Sequence, residues 1–130
     1  MKAKILYIED NTQNFYLVSF ILTAAGCEVV WAKDGPEGIE QAARGWADLI
    51  LLDIQLPGMD GYAVARALRE RPALSLIPIV ALTSYAMAGD REKALAAGCT
   101  SYIEKPIDPA KFAAQVEQHL LDARAKGEGS

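Results

Sequence analysis

The chain has 130 residues, enough for one ordinary domain that needs neither disulfide nor metal to fold. Hydrophobic residues make up 52% and charged residues 23%, which excludes a disordered tail, a fibre and a cysteine-rich scaffold. Thirteen basic residues against 17 acidic ones leave a net charge of −4, which is no footprint for nucleic acid or anionic lipid, so direct binding to either is not expected.

The longest nearly apolar stretch, Phe15 to Ala25, is too short to cross a bilayer. Only four apolar residues follow the basic start Met1-Lys2-Ala3-Lys4, too few for a signal-peptide core. With Cys27 and Cys99 read as free thiols, a cytoplasmic protein is expected.

Short apolar runs alternate with helix-period segments along the chain. Ile5–Ile8, Val29–Ala32, Leu49–Leu52 and Ile79–Leu82 are unbroken runs, as in parallel strands buried on both faces, and Ser101–Glu104 is a fifth strand. Between them, Leu17, Phe20, Ile21 and Ala24 mark one helical face, and Ile39, Ala42, Ala43 and Trp46 a second. Gly61, Val64, Ala65 and Leu68 mark a third, Ala86–Ala97 is a weaker fourth, and Phe112, Val116 and Leu120 mark the last. Asp34, Asp60 and Asp108 are expected N-caps, with Pro109 at the first helical position, and Gly26 and Gly98 are expected just past helix ends. Five βα units predict an α/β fold: a five-stranded doubly wound parallel sheet with five helices, in the flavodoxin-like order 2-1-3-4-5. One domain is expected over residues 1–121, with 122–130 a frayed tail without periodicity.

In such a sheet ligands bind beyond the carboxyl ends of the strands, at the switch point between strands one and three. Strand one ends in Glu9-Asp10, strand three in Asp53, strand four in Thr83-Ser84 and strand five in Lys105-Pro106. Three carboxylates at about 4 Å repel by roughly 4 kcal/mol per pair at an effective dielectric of about 20. They must keep a proton, stay wet or hold a cation, and Mg²⁺ is the natural cation for such hard oxygen donors. Asp10 and Asp53 would ligate directly and Glu9 through water. A metal beside Lys105 and Thr83 is equipped for phosphoryl transfer. No cysteine or histidine stands at this edge, but a carboxylate can attack phosphorus, and Asp53 at the end of the central strand is best placed to do so.

These residues resemble the receiver domain of two-component response regulators, most like stand-alone DivK-type receivers or those of hybrid histidine kinases. The resemblance rests on Glu9-Asp10, on Leu51-Leu52-Asp53 through Gly61, on Ala81-Leu82-Thr83-Ser84 and on Tyr102-Ile103-Glu104-Lys105-Pro106, and it runs from about Lys4 to about Leu121. It implies that Asp53 is the phospho-acceptor and that Asp10, Asp53 and the main-chain carbonyl of Gln55 hold Mg²⁺ with support from Glu9. It also implies that Thr83 and Tyr102 are the switch pair, that Lys105 binds the phosphoryl group through a cis bond to Pro106, and that Pro57 and Gly58 shape the loop beyond the acceptor. Gln55 and Tyr85 fall where the family tunes phosphoryl lifetime. The implied partners are a histidine kinase or histidine phosphotransfer protein, and an output protein met through the fourth helix, fifth strand and fifth helix.

Each residue has a plainer reading. Asp10 and Asp53 could be turn carboxylates, Lys105 a solvated lysine, Thr83 an N-cap and Tyr102 a permanently packed ring. His119 reads as a surface residue and Trp31 and Trp46 as packing. Tyr85 and Met87 read as partner surface or as packing. A flavin carrier and a dehalogenase-type phosphatase fit poorly, because the acids after strand one stand as Glu9-Asp10-Asn11. A phosphate-independent interaction module and a relay receiver from a hybrid kinase remain as alternatives.

Overall fold

The structure, a computed structural model, describes residues 1–56, 58–84 and 89–128, with side chains up to residue 125. Pro57, Tyr85 and Met87 lie outside the described residues, as does the start of the segment expected as the fourth helix. Strands β1 (Lys4–Ile8), β2 (Glu28–Ala32), β3 (Leu49–Asp53), β4 (Ile79–Thr83) and β5 (Ser101–Glu104) alternate with helices α1 (Thr12–Ala24), α2 (Gly35–Ala43), α3 (Gly61–Arg69), α4 (Asp90–Ala96) and α5 (Phe112–Glu128). All strand pairs are parallel, in the expected order β2-β1-β3-β4-β5.

Strand side chains alternate between two cores, one on each face of the sheet. Leu6, Ile8, Ile50, Leu52, Ile79 and Ala81 pack with α2, α3 and α4 through Ala42, Val64, Ala65, Leu68 and Ala94. Ile5, Tyr7, Leu49, Leu51, Val80 and Leu82 pack with α1 and α5 through Val18, Leu22, Phe112, Val116 and Leu120. Burial on both faces explains the unbroken apolar runs of β1, β3 and β4. Strand β2 departs from the expectation: as an edge strand it leaves Val29, Val30 and Trp31 only half-buried.

The expected punctuation largely holds. Asp34 caps α2 through the Glu37 N–H and Asp60 caps α3 through the Tyr62 N–H. Asp108 accepts from the Ala110 N–H in a turn over 109–111, and the helix proper begins at Phe112. Gly26 and Gly98 follow α1 and α4 with φ of 99° and 108°, the left-handed conformation of helix ends. Thr83 does not cap α4, whose N-cap position is Gly89.

Two expectations are corrected. The face of α1 is rotated: Val18 and Leu22 are buried, whereas Leu17 and Phe20 are 45% and 75% exposed. The 15–25 stretch is apolar nearly all round, so a 3.6-residue period has little polar contrast to lock onto. The tail is also ordered further than expected, because α5 continues through Glu128. Residues 122–125, Asp-Ala-Arg-Ala, have little to bury but good helix propensity, and they extend a helix already anchored by Phe112, Val116 and Leu120.

Candidate functional site

The carboxyl ends of the central strands bring together the residues expected there. Register pairs Ile8 with Leu52 and Asp53 with Leu82, so Glu9, Asp53 and Thr83 emerge side by side. Lys105 is drawn in from the far side by its N–H, which donates to the Thr83 carbonyl at 2.8 Å. One carboxylate oxygen from each of Glu9, Asp10 and Asp53 lies within 4.8 Å of the others. Glu9 and Asp53 are buried and Asp10 is exposed.

Asp53 is held at both oxygens. Its Oδ1 accepts from the Gln55 N–H at 2.9 Å, and its Oδ2 lies 3.2 Å from the Lys105 ammonium. Burial works to raise its pKa, but Glu9, the Gln55 N–H and the Lys105 ammonium outweigh burial and hold it below the ordinary value. Gln55 therefore touches Asp53 through its N–H.

Glu9 is fully buried. Its Oε1 accepts from the Tyr7 hydroxyl at 3.3 Å and lies 3.8 Å from Lys105 Nζ. Its Oε2 is buried without a hydrogen-bond partner. Burial, then the adjoining Asp53 carboxylate, pushes Glu9 up to about 8, against the pull of Lys105. An orphaned buried oxygen beside two further carboxylates is the environment a hard cation satisfies, so these residues fit Mg²⁺.

Thr83 is buried at the end of β4. It continues the face of Ile79 and Ala81, and Ala81 pairs with Tyr102, so Thr83 and Tyr102 lie diagonally on the face covered by α4. Tyr102 is half-buried against that core, with the Arg91 guanidinium 6.0 Å above its ring. The Lys105–Pro106 peptide is cis, and Gly58 has φ of 75°. A cavity of about 490 Å³ is lined by Tyr7, Asn14, Lys105 and Ile107, among others.

Some neighbours of the site were missed in the sequence. Tyr7 read as one strand residue, yet its hydroxyl meets Glu9, and Trp31 read as packing, yet its indole N–H donates to the Glu9 carbonyl at 2.6 Å. A tyrosine inside an otherwise aliphatic buried strand needs a partner for its hydroxyl, and that was the available signal. His119 is half-buried, not a free surface residue: its Nε2 lies 3.3 Å from Ser101 Oγ, and burial lowers its pKa. Cys27 and Cys99 are free and buried near opposite edges of the sheet.

Comparison with known proteins agrees with this architecture. The family model of the response regulator receiver domain matches residues 5–117. The polar-differentiation response regulator DivK of Brucella ovis is 37% identical over 123 residues, covering 95% of this chain and 100% of that protein. The chemotaxis response regulator CheY4 of Vibrio cholerae superposes with a TM-score of 0.86 at 28% identity, over 92% of this chain and 99% of that one. The receiver domain of a sensor histidine kinase from Pseudomonas aeruginosa, whose structure has a magnesium ion coordinated in the active-site cleft, superposes with a TM-score of 0.84 at 34% identity, over 92% of this chain and 98% of that one. With nearly its whole length matched and its acids gathered at the family's strand ends, the chain belongs to the response regulator receiver family.

Proposed function

We propose that the chain accepts a phosphoryl group on Asp53 from a phosphohistidine of a histidine kinase or phosphotransfer protein, and thereby changes its affinity for an output protein. The observation that carries this reading is Asp53 itself: a buried carboxylate at the end of the central strand, held below its ordinary pKa by Glu9, the Gln55 N–H and Lys105, and flanked by Glu9 and Asp10. A bond forms between an Asp53 carboxylate oxygen and phosphorus, the bond from phosphorus to the donor nitrogen breaks, and the electron pair leaves with the donor imidazole. Asp10, Asp53 and the Gln55 carbonyl would hold Mg²⁺, supported by Glu9. When bound, the ion neutralises charge on the phosphoryl oxygens. Lys105 exchanges its contact with Asp53 for a phosphoryl oxygen, and the Thr83 hydroxyl donates to another. Gly58 shapes the loop beyond the acceptor, and Pro106 turns Lys105 into the site.

Movement of Thr83 toward the phosphoryl group changes the space beside Ala81, where Tyr102 packs on the same face. That couples Asp53 to the surface of α4, β5 and α5. A groove of about 460 Å³ there, lined by Arg91, Leu95, Tyr102, Glu104 and Gln115, among others, is the proposed docking place for the output protein. Among the described residues no helix is long and apolar enough to cross a membrane. The two free buried thiols fit a reducing, cytoplasmic compartment. A second reading, onward relay of the phosphoryl group to another histidine, is favoured by the likeness to the receiver of the Pseudomonas aeruginosa sensor kinase.

Intact mass after treatment with Mg²⁺ and a small acyl phosphate tests the acceptor. Wild type is expected to gain one phosphoryl group and Asp53→Asn none. Equal gain by both proteins would move the acceptor elsewhere. Transfer from the phosphorylated protein to a histidine phosphotransfer domain would select the relay reading.

A further inference from the structure

We propose that Tyr7 is a positioning residue of the cation site, orienting Glu9 so that one of its carboxylate oxygens faces the bound ion. The inference rests on the reading of Glu9, Asp10 and Asp53 as a Mg²⁺ site and goes one residue beyond it. Tyr7 and Glu9 are two residues apart at the end of β1 and share the sheet face covered by α1 and α5. The Tyr7 ring is fully buried and stacks on Phe15, with centroids 6.1 Å apart, so the hydroxyl has a fixed origin. It donates to Glu9 Oε1 at 3.3 Å.

The backbone of Glu9 is pinned as well. Its N–H donates to the Ala32 carbonyl at 2.9 Å, and its carbonyl accepts from the Trp31 indole at 2.6 Å. What remains free is the side chain, with several rotatable bonds, and Tyr7 restrains that freedom. With Oε1 taken by Tyr7, Oε2 is left buried and without a partner. The Lys105 ammonium, 3.8 Å from Oε1, is too far for a hydrogen bond. Without the hydroxyl, the carboxylate could rotate toward Lys105, and the orientation offered to the ion would be lost.

The test is calorimetric titration of Mg²⁺ into the full chain for wild type, Tyr7→Phe, Glu9→Ala and the double variant, each verified as folded by circular dichroism. Tyr7→Phe keeps the ring and its stacking. It is expected to weaken Mg²⁺ binding about fivefold, the low end for a hydrogen bond to a charged group. In the Glu9→Ala background the same substitution is expected to change nothing, which is the coupling a purely structural role would not produce. Phe15→Leu, which thins the packing around the ring and keeps the hydroxyl, is expected to bind Mg²⁺ within about twofold of wild type. Unchanged affinity in Tyr7→Phe, or an equal loss in both backgrounds, overturns the role of Tyr7 while the cation site stands. Absence of Mg²⁺ binding by wild type overturns both.

Discussion

Replacing Glu9 by glutamine makes the metal-free protein more stable, and only on the alkaline side. The substitution keeps the shape and the acceptor for Tyr7 while removing the ionisable group. In the folded chain Glu9 holds its proton up to about pH 8, whereas an unhindered glutamate releases it near 4.5. Between these values the folded state binds more protons than the unfolded one, so stability falls as pH rises. The contribution is nearly complete at pH 5 and nearly lost at pH 8, a change on the order of 3 kcal/mol at 1.36 kcal/mol per pKa unit. Asp53 acts in the opposite sense: its lowered pKa adds stability above its ordinary value of 3.8, lost only as pH falls through the folded value. A window starting at pH 5 therefore isolates Glu9. Thermal melts in chelator, followed by far-ultraviolet circular dichroism, should place Glu9→Gln within a degree or two of wild type at pH 5 and roughly 10 °C above it at pH 8. An offset of the same size at both ends would refute a buried, proton-holding Glu9.

Three further substitutions test how α3 and α1 are seated on the sheet. A Cβ added at Gly61 would meet the Ile54 backbone, with the Ile54 carbonyl oxygen at 2.7 Å and the Asp53 carbonyl oxygen at 2.9 Å, and no side chain there can yield. Gly61→Ala should cost roughly 1–3 kcal/mol in urea unfolding and slow phosphorylation, because α3 is pushed from the strand end that carries Asp53. On α1, Leu22→Ala should cost about 2–5 kcal/mol, whereas Phe20→Ala should stay within about 0.5 kcal/mol of wild type. The reverse order in chemical denaturation would restore the helix face expected from the sequence.

The strands and their ends were legible because each apolar run in the middle of the sheet is stopped by a polar or charged residue. Leu49–Leu52 ends at Asp53, Ile5–Ile8 at Glu9 and Ile79–Leu82 at Thr83, and parallel order then brings those ends to one edge. The same legibility failed on α1 for want of contrast. Tyr16, Leu17 and Phe20 are apolar and exposed, at 64%, 45% and 75%, while Val18 and Leu22 between them are buried. A residue list with apolar side chains on both faces does not reveal which face meets the sheet; the packing of Val18 and Leu22 with Tyr7, Phe112 and Val116 does. At the end of α5 the failure was the reverse. The hydrophobic pattern stops at Leu120 and the helix does not, because propensity and an anchored preceding turn suffice to extend it.

The distribution of charge within the site could not be read from residue types. Three carboxylates against one lysine can escape repulsion by a proton, by water or by a cation, and the sequence does not say which residue takes which route. The structure divides them. Glu9, fully buried with an orphaned oxygen, takes the proton. Asp53, 3.2 Å from the ammonium, takes the lysine. Asp10, exposed, takes the water. Such a division would suit the acceptor role proposed for Asp53, which needs a carboxylate. Asp53, beside Lys105, is held below its ordinary pKa, and the raised carboxyl is that of Glu9, which Tyr7 and Trp31 hold in place. On the proposed reading, a divalent cation bound to this cluster would compete with a proton on Glu9 and with the Lys105 contact to Asp53. Both effects would follow from burying one carboxylate more deeply than the others.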